Sequence, residues 1–497
     1  MEASTHTNDQ RAPRKWICFF CVAIGTFIAY LDSSIVNITL PTLSRYFQAD
    51  LSTIEWIVTS YLLMLTGLVV IFGRAADIHG RKRLYIFGFI VFTISSALCG
   101  AAPNVWLLVA FRCLQGIGAA SLLANGTAIV TEVFPPSERG RALGMMASVL
   151  AASAIIGPLL GGFLADNVGW RSIFYVNIPI GIAGVLLAMK ELPSTTTGAS
   201  GERFDFGGAI TLLGSLSCFL FLINTLSRDD WRTEIVTTLA VGMVVLTVVF
   251  LTIEARVEQP LLDLSLFRRR AFTAATASSY LSFWAMASVS FLLPFYLDRG
   301  LGLSRTRSGY IMAPIPVVLV LSAPLGGYLS DKLGARLIST IGAIINCFGL
   351  LCLSTLTAHT TPAGVILRLV PFGVGMGLFQ PPNNSAIMGS VPASRIGIAS
   401  GMISAIKNLG SMSGVAVTSL FFTVARVSNL KQMQSQGADA ALADQQSFIA
   451  GVREMYILSA AICSLAVVMS LVRGQQQKDK EDQIAVEKAE PTAEMSH

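Results

Sequence analysis

Charged side chains are scarce in this 497-residue chain. Asp, Glu, Lys and Arg make up 13% of the residues, whereas a soluble domain carries about 25%. Hydrophobic residues make up 53%, and the mean hydropathy is +0.65. This composition excludes an ordinary cytosolic enzyme, a disordered protein and a disulfide scaffold, because a soluble chain of this length needs more polar surface. It predicts an all-α polytopic membrane protein whose solvent is largely lipid.

Groups suited to catalysis or metal binding are also sparse. The four histidines are scattered, and no His, Cys and carboxylate cluster has the spacing of a metal site. A phosphate-binding loop and a GxSxG elbow are both missing, so we expect no enzyme, no metal and no cofactor, and ATP is not the expected energy source. The CxxC pair Cys18 and Cys21 lies in an apolar run, which indicates buried hydrophobes. Basic residues follow the membrane surface, so nucleic acid is not an expected partner.

Long apolar runs, by contrast, are abundant. A hydrocarbon core about 30 Å thick needs about 20 apolar residues per helix, and runs that are apolar throughout exclude an alternating β-barrel. The first run is too long for a signal peptide and lacks a cleavage site, so it is a retained span. We predict fourteen spans, at approximately 16–38, 54–73, 84–102, 105–130, 142–165, 171–190, 205–226, 235–254, 272–297, 307–329, 337–357, 363–388, 397–422 and 453–473.

The basic residues predict the orientation. With the N-terminus in the cytoplasm, 22 Lys and Arg lie on the cytoplasmic side, 10 lie on the other side and three lie within spans. An even number of spans then places both termini in the cytoplasm, and the short loops suggest the inner membrane of a bacterium. We expect a disordered tail over 474–497 and the longest outer loop over 427–450.

A glycine–aspartate motif occurs twice in the loops. The first copy consists of Gly73, Asp77, Gly80 and Arg81. The second copy consists of Gly327, Asp331, Gly334 and Arg336, and its aspartate lies 254 residues after the first. A half of six spans occupies fewer residues than this 254-residue interval, and two extra spans account for the additional residues. The predicted plan is two parallel six-helix repeats with two extra central helices, a plan that suits a carrier with a central site.

The repeat also predicts the domain boundaries. We expect a cytoplasmic N-terminus, a first six-helix bundle, a linker with two extra spans, a second six-helix bundle and a cytoplasmic tail. The corresponding ranges are 1–15, 16–190, 191–271, 272–473 and 474–497.

The loop motif resembles the signature of the major facilitator superfamily, and other segments narrow the resemblance. The segments at 31–41 (LDSSIVNITLP), 112–118 (RCLQGIG), 157–162 (GPLLGG) and 170–181 (WRSIFYVNIPIG) look like motifs of the fourteen-helix drug:proton antiporter family. Ser34 stands where that family usually has Thr, and Ser153 replaces a frequent glycine. The resemblance covers roughly residues 16–473 and implies the major facilitator fold and proton-coupled transport.

Two charges inside the predicted spans are candidates for proton coupling. Asp32 is the lone acid well inside the first span. An ionised carboxylate at that depth is costly, so residues of this kind usually face a cavity and have a function. The alternative is a structural acid near the helix end. Arg112 needs a partner for the same reason, and Asp32, backbone carbonyls and substrate are the candidates. In similar transporters this arginine is assigned to proton transfer. The alternative role for Arg112 is structural, as a residue that hydrogen-bonds to several helices.

Glycines and turn residues are the candidates for gating. In the loops, Asp77 can cap a helix and the glycines allow tight turns; in the fifth span, Pro158 can kink the helix while glycines permit close packing. The gating candidates are Gly73, Asp77, Gly80, Arg81, Gly157, Pro158, Gly161, Gly162, Asp331 and Gly334.

Polar and aromatic residues in the spans are the candidates for substrate binding. Lys407 could serve a counter-charge, an anionic substrate or a gate, and aromatic side chains could line a pocket for flat molecules, although they also pack or lie at interfaces. The candidates are Tyr30, Asn37, Trp56, Gln115, Phe283, Trp284, Asn383, Asn384 and Lys407.

These features predict a proton-coupled secondary transporter that exports hydrophobic or cationic small molecules by alternating access. One alternative keeps the fold and takes up a vitamin or another small organic metabolite. Another alternative is a membrane receptor that does not transport. The expected partners are the substrate, protons and the lipid bilayer, and a periplasmic adaptor protein is a further candidate.

Overall fold

The chain folds into long helices. The computed structural model describes residues 11–193, 205–226, 232–257, 264–391, 396–436 and 439–473, and these contain no β-strand. The sixteen α-helices are α1 Arg11–Phe47, α2 Leu51–His79, α3 Arg81–Ala101, α4 Val105–Val133, α5 Pro136–Asn167, α6 Ser172–Tyr175, α7 Asn177–Glu191, α8 Phe206–Leu226, α9 Thr233–Glu254, α10 Arg270–Phe295, α11 Arg305–Met312, α12 Pro314–Leu333, α13 Ala335–Leu353, α14 Pro362–Gly389, α15 Ile396–Ser435 and α16 Ala440–Val472.

Within the described residues, fourteen spans are long and apolar enough to cross a membrane, as predicted. The short α6 and the following α7 form one span, and α11 and α12 form another. An α-helix satisfies its backbone hydrogen bonds internally, which is what a lipid environment requires. The all-α, fourteen-span fold class is therefore confirmed.

The expected loop at 427–450 is wrong for most of its length. Helix α15 continues to Ser435, and α16 begins at Ala440. The two helices pack beyond the apolar region, where the Phe422 and Phe448 rings lie 5.2 Å apart and Arg426 pairs with Asp444 at 2.5 Å. Hydropathy indicates where a span leaves the lipid. The helix itself can continue beyond that point when its side chains pack against a neighbouring helix.

The halves are built alike. In the first half α1 packs on α5, and α4 packs on α2 and α3; in the second half α14 packs on α12 and α13, and α10 packs on α15 and α16. The extra helices α8 and α9 pair with each other, and α8 also touches α2 and α15, one helix from each half. We name the two ends of the bundle by their connections: the α1–α2 end contains residues 47–51, and the α2–α3 end contains Gly80.

The repeated glycines occupy equivalent turns. Gly80 ends α2 and starts α3 with φ of 92°, and Gly334 ends α12 and starts α13 with φ of 89°. Residues with a Cβ rarely adopt this region. The requirement for a tight turn therefore explains why both copies of the motif carry glycine there.

Replacing Gly80 with Ala is expected to destabilise the protein by about 1–3 kcal/mol, because a Cβ makes this backbone conformation strained. Gly73 is the matched control, since it lies inside α2 and a Cβ added there would have no atom within 4 Å. Gly73→Ala should stabilise the helix by up to about 1 kcal/mol. Thermal unfolding of the detergent-solubilised variants measures both effects, and equal melting temperatures would contradict the assignment.

Candidate functional site

An ion pair lies inside the first half, between α1 and α4. Asp32 is 0% exposed and Arg112 is 1% exposed, and an Arg112 Nη1 donates to Asp32 Oδ2. Arg112 Nε donates to the Ile57 carbonyl of α2 at 3.0 Å. The guanidinium also lies over the Tyr61 ring, 4.2 Å from its centroid. Arg112 thus has both the carboxylate and the carbonyl partner that its depth requires.

Amide side chains complete the surroundings of Asp32. Gln115 Nε2 donates to Asp32 Oδ1 at 2.8 Å and lies 2.8 Å from Ser96 Oγ, and Asn177 Nδ2 of α7 donates to the same carboxylate oxygen at 2.9 Å. The Gln115 carbonyl accepts from Arg112 at 2.6 Å. We call Asp32, Arg112, Gln115, Ser96 and Asn177 the Asp32 network. It satisfies a buried charge pair with hydrogen bonds, so the pair can persist in low dielectric.

The structure brings together three of the predicted residues and adds others. Asp32, Arg112 and Gln115 meet directly. Asn177 was part of a recognised motif but carried no predicted role, and Ser96 was not predicted. An uncharged polar residue in an apolar helix gives no signal of its own, because such residues also bond to their own backbone.

Polar contacts between the two halves gather at the α1–α2 end in the described part of the chain. Asp166, at the end of α5, accepts from the Thr306 backbone N–H and hydroxyl of α11, both at 2.7 Å. It also pairs with Arg305 at 3.1 Å. A carboxylate of the first half therefore caps the N-terminus of a helix in the second half, where the helix dipole favours negative charge.

A second set of contacts joins α1 to Tyr296–Gly300, the short helical segment that follows α10. Arg45 pairs with Asp298 at 2.6 Å, and Arg299 donates to the Ser44 hydroxyl at 3.2 Å. Ser44 and Arg299 also line a cavity of about 310 Å³. We call it the vestibule; its lining includes Asp50, Ser52, Arg299, Thr423 and Arg426. This end of the bundle is held together by polar contacts, and the vestibule beside them has apolar as well as polar lining residues.

Asp166→Asn is expected to weaken closure of the α1–α2 end by about 1–2 kcal/mol, because a neutral amide lacks the charge that the helix dipole favours and cannot form an ion pair with Arg305. Arg45→Gln is the comparison. Its ion pair has an arginine side chain that is 53% exposed, and such surface pairs contribute about 0–1 kcal/mol. Distances between spin labels on the two halves report closure. A larger effect of Arg45→Gln would contradict this ranking.

The predicted gating segment of α5 touches both halves. A Cβ at Gly157 would lie 2.4 Å from Ser34 Oγ, and one at Gly161 would lie 2.6 Å from Ile38, both on α1. On the other side, a Cβ at Gly162 would lie 2.4 Å from the Arg305 carbonyl, and the Pro158 carbonyl approaches Gly309. The glycines therefore allow α5 to pack against α1 and α11 at once.

The loop residues of the gating prediction are less enclosed. Arg81 donates to Glu132 at 3.1 Å and to the Ala128 carbonyl at 3.3 Å, which ties α3 to α4. Asp331 is exposed. The side chain of Asp77 lies outside the described residues.

Some predicted substrate residues lie in apolar contacts. Trp56 is 5% exposed and stacks on Phe221 of α8 at 4.8 Å. Lys407 lies over Phe283 at 5.2 Å, and Trp284 is buried. These four positions therefore make interhelix contacts in this conformation.

The remaining predicted substrate residues differ in their surroundings. Asn383 is 1% exposed; it donates to the Ala275 carbonyl at 2.9 Å and accepts from Arg473 at 3.3 Å. Tyr30 is exposed, and Asn37 and Asn384 are half-buried. None of the nine candidates lines the vestibule or the cavity of about 430 Å³ between α8, α9, α10 and α15. Substrate binding by these residues stays a prediction.

Comparisons with known proteins bear on the whole chain. The family model described as Major Facilitator Superfamily matches residues 22–415. The chain is 35% identical to the riboflavin transporter RibZ of Clostridioides difficile, over 92% of this chain and 97% of the relative. It is 29% identical to multidrug resistance protein 3 of Bacillus subtilis, over 87% of this chain and 86% of the relative. It is 31% identical to multidrug resistance protein Stp of Mycobacterium tuberculosis, over 81% and 74%.

Solved structures show the same fold. A bacterial homologue of the human lysosomal transporter Spinster, in an inward-facing and unoccupied conformation, matches with a TM-score of 0.68 at 14% identity, over 93% of this chain and 97% of that one. A peptide transporter matches with a TM-score of 0.66 at 15% identity, over 92% and 96%. Members of this family are transporters and not enzymes. The chain is an integral membrane transporter that belongs to the major facilitator superfamily.

Proposed function

We propose that this transporter exports hydrophobic or cationic small molecules in exchange for protons, by alternating access. The observation that carries the proposal is the Asp32 network. Its carboxylate and its guanidinium are both inaccessible to water in this conformation. Burying two charges inside a membrane protein is costly, so a buried pair of this kind indicates a function. Relatives named multidrug resistance proteins support the substrate class.

In the proposed mechanism, Asp32 binds and releases the transported proton. When the carboxyl is protonated, its attraction for Arg112 falls, and the guanidinium keeps the Ile57 carbonyl and Gln115 as partners. The network can then rearrange between two discrete states, each with its hydrogen bonds satisfied. Substrate and proton affect each other's binding if both bias that rearrangement.

The orientation belongs to the same proposal. We place both termini in the cytoplasm of a bacterium, the chain in its inner membrane and the α1–α2 end on the outer side. The contacts of Asp166, Arg305 and Thr306 then close the outer side. The loop motifs and the α5 glycines act as gates on the two sides, and the domain limits are those predicted above, with the tail at 474–497 outside the described residues.

Reconstituted vesicles test the proposal. Purified protein is incorporated into liposomes that contain a pH-sensitive dye, and a panel of lipophilic cations is added with and without an imposed pH gradient. We expect substrate movement against its gradient when protons move in the opposite direction, and a substrate-dependent change in internal pH. Transport that is unaffected by the pH gradient and moves no protons would overturn the proposal.

Uptake of a vitamin is the second candidate, and the similarity to a riboflavin transporter over nearly its whole length favours it. The same vesicles distinguish the two functions. Labelled riboflavin that accumulates, while lipophilic cations do not move, supports the vitamin function. Movement of the cations and not of riboflavin supports export. Relatives include a riboflavin transporter, a multidrug transporter and an efflux pump, which favours transport over a receptor role.

A further inference from the structure

A second buried carboxylate lies at the contact between the two halves. Glu55 is on α2, one turn inside the helix, and is 1% exposed. Its carboxyl faces the Ser419 hydroxyl of α15 and the Asn224 amide of α8. Among the described residues, Glu55 Oε2 and Ser419 Oγ have no hydrogen-bond partner that meets geometric criteria. One carboxyl is thus enclosed by three helices that belong to the first half, the second half and the extra pair.

No cation compensates a negative charge at Glu55 within the described part of the chain. Helix α8 has no charged residue in its sequence. The cations of α15 are Lys407, Arg426 and Lys431, which lie 12, 7 and 12 positions from Ser419, and none of them forms an ion pair with Glu55 in the described residues. Among the helices of the first half, Arg112 of α4 is bound to Asp32 of α1.

The other charge near Glu55 has the same sign. Asp50, at the start of α2, accepts from Thr53 N at 3.1 Å and from Ser52 Oγ at 2.6 Å as the helix cap. An ionised Glu55 would place a negative charge in an enclosed site and near a like charge, the exposed Asp50, which is unfavourable. The closed arrangement therefore favours the protonated acid.

The vestibule begins about one helical turn from Glu55. Ser52 of α2 and Thr423 of α15 line this cavity, and each lies about one helical turn from Glu55 or Ser419 on its own helix. Separation of α2 from α15 would join the carboxyl to the vestibule directly. Arg299 and Arg426 line the same chamber and would favour a carboxylate exposed there.

Helix α8 completes this site. Asn224 Nδ2 donates to the Ser52 carbonyl at 2.6 Å, and Phe221 stacks on Trp56, the neighbour of Glu55. The extra helix therefore holds the first turns of α2 and covers the carboxyl. This contact gives α8 a role beyond that of a spacer between the halves.

We propose that Glu55 is a proton-binding latch of the α1–α2 end. While α2, α15 and α8 are in contact, Glu55 carries the proton. When α2 and α15 separate, the O–H bond breaks, the proton passes to water in the vestibule, and the carboxylate remains hydrated. Closure requires the proton to return. The latch rests on the alternating access of the proposed function and not on the role of Asp32.

Infrared spectroscopy tests the protonation of Glu55. Purified full-length protein in lipid at neutral pH should show the C=O band of a buried protonated carboxyl, and Glu55→Gln should remove it. Glu234→Gln is the matched control, because it makes the same substitution at an exposed glutamate in the first turn of α9. The control should leave the band in place. A band that persists in Glu55→Gln, or that is missing from the unmodified protein, overturns the proposal.

Distance measurements test the latch itself. Spin labels are placed at Val168→Cys and His359→Cys, two exposed sites at the α1–α2 end of different halves, in a chain whose eight cysteines are replaced. Raising the pH should increase the population of the longer distance about tenfold or more. Glu55→Gln, which stays neutral and nearly isosteric, should abolish this pH response and keep the short distance. An unchanged response in Glu55→Gln overturns the proposal.

The two proposals fail in different ways. If Glu55→Gln retains the pH response while the unmodified protein exchanges protons for substrate, the latch is wrong and the proposed function stands. If the pH response depends on Glu55 while vesicles show no proton-coupled transport, the latch stands and the proposed function is wrong.

Discussion

Asp32→Asn is expected to abolish substrate-driven proton movement in reconstituted vesicles. The carboxyl is the acid of the Asp32 network, and an amide cannot bind and release a proton at this site. Substrate can still move down its own gradient, because the substitution nearly preserves the shape of the side chain. The internal pH dye and a labelled substrate, followed in the same vesicles, separate these two effects.

The same variant is expected to lose about 3–5 kcal/mol of stability, because it leaves the Arg112 charge buried without a carboxylate. Combining Asp32→Asn with Arg112→Gln removes both charges. The double variant should recover most of this loss, since a buried ion pair contributes little net stability compared with neutral groups. It should not recover proton coupling. Melting temperatures together with vesicle assays thus distinguish a coupling role from a folding role.

Glu138→Gln is the matched control for loss of an acid from an ion pair. Glu138 pairs with Lys15 at 2.7 Å, but its side chain is 40% exposed, so the pair contributes about 0–1 kcal/mol. The control should retain both coupling and stability. Undiminished proton movement in Asp32→Asn would show that the carboxyl is not the coupling group, whatever the control does.

The sequence predicted the parts of the Asp32 network that carry charge or share a helix. Asp32 and Arg112 are visible because a charge in an apolar run is rare. Gln115 follows Arg112 by three positions, so a shared helix face is expected. Asn177 and Ser96 come from α7 and α3, and their approach to Asp32 depends on how these helices pack. Tertiary packing of this kind leaves no pattern in a single sequence.

The fold was predictable to a similar limit. Fourteen apolar runs and two copies of one loop motif suffice for the span number and the repeat. Helix ends were not predictable, because α1, α15 and α16 extend beyond the apolar runs into polar sequence. Glu55 carried no prediction, because it is the second residue of the predicted span 54–73 and an acid at a span end is not unusual. Its burial results from α8 and α15 packing against α2.

Gly162→Ala is expected to reduce transport about tenfold or more by opening the α1–α2 end. The added Cβ would lie 2.4 Å from the Arg305 carbonyl and 3.0 Å from Thr306 Cα. Both are backbone atoms of α11, so the clash cannot be relieved by moving a flexible side chain. Overpacking of this kind costs about 1–3 kcal/mol, and each 1.4 kcal/mol changes an equilibrium about tenfold. The population closed at this end should fall accordingly.

Gly144→Ala is the control on the same helix, because no atom lies within 4 Å of the Cβ position there. Both substitutions replace a glycine of α5 with alanine, so their effects on helix propensity are the same. A difference between them therefore measures the contact with α11. Spin-label distances at the α1–α2 end should lengthen in Gly162→Ala alone. If both variants transported equally well and kept the same distances, α5 would touch α11 without acting as a gate.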